Sequence, residues 1–185
     1  MLFGLDVGGT KIELAIYDEA LNLKNAWRAP TPKTYYREFI NTVVGMIVTA
    51  DEHVGVQGSI GLGMPGCVDA HGGAISANIE CINGRQLGMD LAAELGRPLA
   101  LQNDMNMFAL SEANGGAGQD YQHVLGLIMG TGLGAGLCID GELYQGKSHA
   151  ARECGHVQMP AIIQQRYNLP LRDCGCGLVG CQERY

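Results

Sequence analysis

Three cysteines lie close together near the end of the chain, in the segment C-G-C-G-L-V-G-C-Q-E from Cys174 to Glu183. They are Cys174, Cys176 and Cys181, and glycines separate them. Thiolates can surround one ion only where the backbone turns sharply, and glycine readily adopts the backbone angles of such turns. His156, in the earlier sequence E-C-G-H, offers a fourth ligand. Three thiolates and one imidazole are a typical ligand set of a structural zinc site.

A disulfide with a spare thiol is the alternative interpretation of these cysteines. The chain has 7 cysteines, an odd number, and they are scattered along the sequence. No segment resembles a signal peptide. In a reducing cytoplasm, cysteines at this spacing bind a metal more often than they pair. We therefore expect a structural zinc ion, which can contribute roughly 10–16 kcal/mol of binding free energy to folding at neutral pH.

The expected metal would also fix three polar side chains beside it, those of Glu153, His156 and Glu183. Carboxylates and imidazoles are suited to hydrogen bonds with hydroxyl groups. The segment therefore predicts one wall of a site for a sugar.

A glycine-rich bend, D-V-G-G-T-K from Asp6 to Lys11, joins the strand-like runs Met1–Val7 and Ile12–Tyr17. Two glycines at such a bend let amide N–H groups face an anion, and Thr10 can add a hydroxyl donor. Asp6, at the end of the first strand, can hold a hydrated Mg²⁺ ion beside phosphates. An ordinary hairpin turn is the alternative for this bend taken alone.

A second bend of the same kind, G-T-G-L-G-A-G from Gly130 to Gly136, follows the apolar strand Val124–Met129 and leads into the run Leu137–Ile139. The order strand, glycine–threonine turn, strand is thus repeated. Two such hairpins in one chain predict a pair of loops that hold a polyphosphate from both sides.

A candidate general base follows the short strand Leu99–Leu101, in the sequence Gln102-Asn103-Asp104. An aspartate at the end of a buried strand is well placed to accept a proton. An alanine-rich helix runs on through Ala113, and the alternative is that Asp104 only caps this helix.

The composition limits the classes of function. The chain has 185 residues, 46% of them hydrophobic and 17% charged, which is typical of a globular protein. A net charge of −7 disfavours a nucleic-acid surface. No apolar run approaches the ~20 residues of a membrane-spanning helix. We expect a soluble, cytoplasmic α/β protein whose partners include neither nucleic acid nor a membrane.

The remaining elements position these groups. Apolar residues at helical spacing predict a helix over residues 34–53, and Gly63–Gly66 forms a loop at the end of a buried strand, where open α/β sheets place ligands. Asn78, in the loop-rich segment that follows, is a possible polar contact. The other expected elements are a strand over Leu21–Arg28, a strand over Ser59–Gly63, a loop-rich segment over residues 69–86, a helix over Leu87–Leu95 and a glycine-rich boundary over Asn114–Gln119.

The set of motifs resembles the ROK family of sugar kinases and regulators, within the actin-like, ribonuclease-H-like ATPase superfamily. The resemblance covers essentially the whole chain and includes D-V-G-G-T-K, Q-N-D, I-M-G-T-G-L-G-A-G, E-C-G-H and C-G-C-G-x-x-G-C-x-E. Each motif is unspecific alone, but the combination is highly specific. Within the family, P-L-R-D-C-G-C-G is most similar to the bacterial N-acetyl-D-glucosamine kinases.

The resemblance implies a two-lobed kinase that transfers a phosphoryl group from ATP, with Mg²⁺, to the 6-hydroxyl of N-acetylglucosamine. The lobes would be residues 1–118 and an incomplete second lobe, 119–185. Asp104 would be the catalytic base. The sugar ligands would be Gly66, Asn78, Asn103, Asp104, Glu153, His156 and Glu183. The phosphate-binding residues would be Asp6, Gly8, Gly9, Thr10, Lys11, Gly130, Thr131 and Gly132. The zinc ligands would be His156, Cys174, Cys176 and Cys181.

Several features depart from the family pattern. Arg152 stands where a small residue is usual, and Gln182 replaces a usual aliphatic residue. Family kinases continue well past the zinc motif, so we expect a truncated chain that lacks the adenosine-binding part, binds ATP poorly and phosphorylates slowly or not at all.

Other interpretations of the sugar and of the class of protein are compatible with the sequence. Fructose, mannose, glucose or N-acetylmannosamine could be the sugar, or the chain could be an inactive sugar-binding fragment. A transcription regulator is disfavoured, because the D-V-G-G-T strand begins at residue 2 with no helix-turn-helix ahead of it. The resemblance also implies a homodimer.

Overall fold

The structure is a computed structural model that describes residues 1–68, 71–76, 78–130, 132–146 and 154–185. These residues form two compact units, Met1–Asp104 and Met105–Tyr185. The predicted lobe boundary at 118/119 refers to the lobes of a complete kinase and stays a prediction.

The elements follow one another in a mixed α/β order. They are β1 (Leu2–Val7), β2 (Lys11–Tyr17), β3 (Leu23–Pro30), α1 (Tyr36–Val54), β4 (Ser59–Met64), β5 (Cys67–Val68), β6 (Ala74–Ile75), α2 (Leu87–Leu95), β7 (Ala100–Asn103), α3 (Asp104–Gly115), β8 (His123–Met129), β9 (Leu133–Ile139), β10 (Glu142–Leu143) and α4 (Ala161–Arg166). Single 3₁₀ turns cover Glu80–Ile82, Cys154–His156 and Gln182–Arg184.

The first unit is built on a five-stranded sheet with the order β3-β2-β1-β4-β7. The strand β2 runs antiparallel to both of its neighbours, β3 and β1. The strands β1, β4 and β7 run parallel to one another. Alternate residues of β1 and β2 are buried, as expected for strands with one face on the core. The helix α1 covers this core with a buried stripe at helical spacing, formed by Phe39, Ile40, Val43, Met46, Ile47 and Ala50.

Several strands and helices of this unit differ in their bounds from those expected from the sequence. The third strand begins at Leu23 instead of Leu21, because the Asp18 carboxylate accepts the N–H groups of Ala20 and Asn22 and holds a turn there. The segment 69–86, expected to be loop-rich, contains β6, which pairs with β5 just before the segment, and the 3₁₀ turn at Glu80–Ile82. The helix α2, in contrast, has the predicted bounds.

The second unit contains a three-stranded antiparallel sheet with the order β10-β9-β8. The strand β9 begins at Leu133, earlier than expected, so the second glycine bend is tighter than the sequence indicated. Gly126 and Gly136 are opposite each other on these strands, and both face α3. A Cβ atom at position 126 would lie 3.0 Å from Ala109 Cα, so the helix lies directly on the sheet backbone.

The other face of this sheet is apolar and exposed, with Leu125 65%, Leu127 45% and Met129 78% accessible. The buried core of the unit is small among the described residues and centres on Ala109, Ala113 and Cys138. No helix in the described part of the chain is both long and apolar enough to cross a membrane.

Removal of the Asp51 carboxylate should destabilise the first unit. The Arg97 guanidinium contacts both Asp51 oxygens, at 2.8 and 2.9 Å, and the Arg97 side chain is only 12% exposed. Because Asp51→Ala leaves this cation buried without its partner, we expect the free energy of unfolding to fall by roughly 3 kcal/mol. Trp27, the only tryptophan, lies in the same unit, so its fluorescence during urea unfolding measures the change.

The matched control is Glu94→Ala, which removes the ion pair of Glu94 with Arg37. Both side chains of that pair are more than a third exposed, so we expect a loss below about 1 kcal/mol. Equal losses in the two variants would contradict the assignment of Asp51 and Arg97 as a buried pair.

Candidate functional site

Several of the predicted residues lie at one edge of the first sheet. Because β1, β4 and β7 are parallel, their carboxyl ends meet at the same edge. In the register of the sheet, Asp6 is next to Gly63, and Gly63 is next to Gln102. Open α/β sheets bind ligands at this edge. The first glycine loop directly follows β1, and Gly66 lies two residues beyond the end of β4. Asn103 is the last residue of β7, and Asp104 directly follows it.

The first glycine loop is a tight turn in which the N–H of Gly8 donates to the carbonyl of Lys11, at 2.8 Å. Thr31, the residue after β3, supports the loop: its hydroxyl donates to the carbonyl of Gly8 at 2.7 Å, and its N–H donates to the carbonyl of Thr10 at 3.1 Å. Thr31 is only 8% exposed. Nothing in the segment P-T-P, which is typical of a simple turn, indicates from the sequence that Thr31 has this role.

The predicted sugar contacts of the first unit form one connected group with this loop. The side-chain amide of Asn103 donates to the carbonyl of Gly66, at 2.6 Å. Gly66 has a φ of +117°, and a Cβ atom there would overlap the carbonyl oxygen of Ile75, so only glycine fits. Asn78 packs against the loop, with its Cβ 3.2 Å from the position that a Cβ of Gly9 would take.

Asp104 is the first residue of α3 and directly follows the last residue of β7. This place fits both a general base at a strand end and a residue that caps the helix. Both interpretations stay predictions.

In the second unit, the four predicted metal ligands come together. One donor atom each of His156, Cys174, Cys176 and Cys181 lies within 4.8 Å of all the others. The sulfurs of Cys176 and Cys181 are 3.7 Å apart, and the Cys174 sulfur is 3.6 Å from His156 Nδ1. A tetrahedral ion with metal–sulfur bonds of about 2.3 Å separates its sulfurs by about 3.8 Å. The group therefore has the geometry to hold a metal ion.

The local backbone explains how the sequence builds this cluster. The N–H of Cys174 donates to Leu178, and Asp173 pairs with Val179, which closes a small turn around Cys176. A bridge between Gln158 and Cys181 brings the histidine segment beside this turn. All seven cysteines lie in the described part of the chain and none of them forms a disulfide, so the alternative of a disulfide is wrong for this structure.

The thiols of the cluster differ in acidity. The backbone N–H of Cys176 favours the Cys174 thiolate, but a hydrogen bond from this thiol to Glu183 Oε1, at 3.0 Å, and burial together raise the pKa of Cys174 to about 12. Burial also raises the pKa of Cys181, whereas the backbone N–H of Leu178 lowers the pKa of Cys176. A metal ion must displace the thiol protons, so its binding weakens as the pH falls.

Glu183 lies between the metal cluster and the second glycine loop. Its Oε1 is 3.7 Å from His156 Nδ1, and its Oε2 is 3.3 Å from the position that a Cβ of Gly132 would take. The loop itself is closed by the N–H of Gly130, which donates to the carbonyl of Gly132 at 2.9 Å. Two predicted site residues, Thr131 and Glu153, lie outside the described residues.

The order of strands in the first sheet, with the glycine loop after β1, places the protein in the class with the actin-like, ribonuclease-H-like fold. A crystal structure of a ROK hexokinase from Thermus thermophilus matches 98% of this chain with a TM-score of 0.83 and 34% identity. A ROK family glucokinase from Streptomyces griseus, solved with glucose and AMPPNP, matches 100% of the chain with a TM-score of 0.80 and 29% identity. The predicted fold class is confirmed.

The chain belongs to the ROK family, whose model matches residues 2–185. It is 50% identical over its whole length to the N-acetylgalactosamine kinase AgaK of Shewanella sp. strain ANA-3, of which it covers 60%. It is 42% identical to the N-acetyl-D-glucosamine kinase of Salmonella gallinarum, of which it covers 62%. The chain also spans 58% and 56% of the two solved structures.

The protein purified without chelators should carry one metal ion per chain, and Cys181→Ser should lose most of it. Cys181 is fully buried in the cluster, and a serine hydroxyl does not replace a thiolate as a ligand of such a tetrahedral ion. Elemental analysis of the two proteins measures the difference.

Cys154→Ser is the control, since Cys154 lies two residues from His156 but outside the four-residue cluster. This variant should keep its metal. A wild-type chain without stoichiometric metal, or a Cys181→Ser chain with a full complement, would show that the cluster is not a metal site.

Proposed function

We propose that the protein is an ATP-dependent sugar kinase that phosphorylates the 6-hydroxyl of an N-acetylated hexosamine. The observation that carries the proposal is the common sheet edge, where the first glycine loop follows β1, Asp104 follows β7, and Asn103 donates to Gly66. Membership of the ROK family supports a sugar as the phosphoryl acceptor.

N-acetylglucosamine is the substrate favoured by the sequence motifs. N-acetylgalactosamine is the second candidate, because a relative at 50% identity is named as a kinase of that sugar. The two sugars differ only in the orientation of the 4-hydroxyl. Discrimination between them therefore depends on whether a polar group of the site pairs with that hydroxyl in one orientation.

In the proposed reaction, the Asp104 carboxylate accepts the proton of the sugar 6-hydroxyl as its oxygen attacks the γ-phosphorus of ATP. The bond from this phosphorus to the β,γ-bridging oxygen breaks, and ADP leaves. The amide groups of the glycine loops at Gly8–Gly9 and Gly130–Gly132 would hold the phosphates, and Asp6 would hold the Mg²⁺ that neutralises their charge. A positioned base contributes about 10²–10⁴ to the rate, and alignment of the reactants contributes further.

We further propose that the ion of the second unit is zinc with a structural role. Three thiolates and an imidazole are a closed ligand set with no open position for chemistry. The ion would fix His156 and Glu183, which are proposed to contact the sugar together with Glu153. Seven cysteines that form no disulfide fit a reducing cytoplasm. A homodimer is proposed on the family resemblance alone.

Asp104→Ala should lower sugar-dependent ADP release by about 10²–10⁴ without a similar loss of sugar affinity, because the base acts on the proton in the transition state. A coupled ADP assay gives the rate, and calorimetry gives the dissociation constant of the sugar.

Asp120→Ala is the control, since Asp120 is an exposed aspartate that lies in the turn after α3. Its rate should equal that of the wild-type chain. If the wild type released ADP in a sugar-dependent way and Asp104→Ala released it at the same rate, Asp104 would not be the base.

A panel of N-acetylglucosamine, N-acetylgalactosamine, N-acetylmannosamine, glucose, mannose and fructose should show the highest kcat/KM for one of the first two sugars. Loss of the acetamido group leaves polar groups of the site without partners and lowers kcat/KM. A preference for a plain hexose would contradict the proposed substrate class.

A further inference from the structure

The side-chain amide of Asn83 forms hydrogen bonds with both backbone polar groups of the buried residue Ser76. Asn83 Oδ1 accepts the N–H of Ser76 at 2.6 Å, and Asn83 Nδ2 donates to the carbonyl of Ser76 at 3.0 Å. Ser76 directly follows β6 and is only 3% exposed. One amide thus satisfies both backbone polar groups of Ser76, as a neighbouring strand would.

Ser76 in turn holds a candidate sugar contact. Its hydroxyl oxygen accepts the N–H of Asn78, at 3.3 Å. Asn78 is exposed and packs against Gly9 of the first glycine loop. The position of Asn78 beside the proposed phosphate loop therefore depends on where Ser76 is held.

The residues that precede Ser76 are held in place by contacts that do not involve the Asn83 side chain. Ile75 pairs with Cys67, and its carbonyl fills the space where Gly66 lacks a side chain. Backbone hydrogen bonds also join Ala74 to Arg85 and Gly84 to Ala74, both at 2.9 Å. Loss of the Asn83 side chain therefore leaves this pairing intact and affects Ser76 and Asn78 specifically.

We propose that Asn83 is a positioning residue for sugar binding, which acts through Ser76 to hold Asn78 at the sheet edge. Asn83 need not touch the sugar. The proposal rests on the sugar kinase function proposed above, and it assigns a role to a residue that belongs to none of the motifs.

The test compares Asn83→Ala with the wild-type chain by calorimetric titration of N-acetylglucosamine and N-acetylgalactosamine. Loss of two ordering hydrogen bonds should weaken binding by about tenfold. Asn83→Asp keeps an acceptor for the Ser76 N–H, so its affinity should lie between those of Asn83→Ala and the wild type.

Asn22→Ala is the matched control. The Asn22 amide bonds to Asp18 in the turn between β2 and β3, at the opposite end of β2 from the glycine loop. Its loss should leave the affinity for the sugar unchanged.

A double-mutant cycle separates positioning from a general loss of structure. If Asn83 acts through Asn78, Asn83→Ala should add no further loss of affinity to an Asn78→Ala chain. Full additivity of the two losses, or an unchanged affinity in Asn83→Ala, would overturn the proposal.

Amide hydrogen exchange supplies a readout that does not need the sugar. The Ser76 and Asn78 amides should exchange faster in Asn83→Ala than in the wild type, while those of β1 and β4 keep their rates. A wild-type chain that binds no amino sugar would contradict the proposed function alone. Unchanged exchange at Asn78 in Asn83→Ala would refute the positioning role whatever the sugar result.

Discussion

The parallel register of β1, β4 and β7 is the constraint on which the first unit depends. Leu5 lies opposite Leu62, and Leu62 lies opposite Leu101. Leu5 and Leu62 are almost fully buried. Because a slip of one residue would turn these side chains to the other face of the sheet, the core fixes the register. The register then determines where each strand ends, and so it brings the glycine loop, Gly66 and Asp104 to one edge.

The parts that the sequence predicted well are encoded locally. The glycine loops, the run from Cys174 to Glu183 and the apolar periodicity of α1 and α2 each lie within a short window. Within such a window, spacing alone determines which groups can meet. The four cysteine and histidine donors are one example, since the glycine-separated cysteines already predicted a tight turn and needed only His156 from elsewhere.

The parts that the sequence did not predict depend on contacts between distant segments. Thr31 supports a loop more than twenty residues earlier, and nothing in P-T-P shows which carbonyl its hydroxyl reaches. The hairpin of β5 and β6 has two residues in each strand, too few for an alternating pattern. The six-residue helix α4 has no buried side chain and therefore shows no apolar stripe. Individual polar contacts of this kind need coordinates.

The prolines on both sides of Thr31 have a consequence for ligand binding. Neither Pro30 nor Pro32 has a backbone N–H, so Thr31 supplies the one amide donor of the tripeptide, and this donor is bound to Thr10. The fixed φ angles of the prolines also restrict the chain before it folds. The glycine loop is thereby preorganised, because the entropy of ordering it is lost when the protein folds. The proposed binding of a phosphate there would not need to order the loop again.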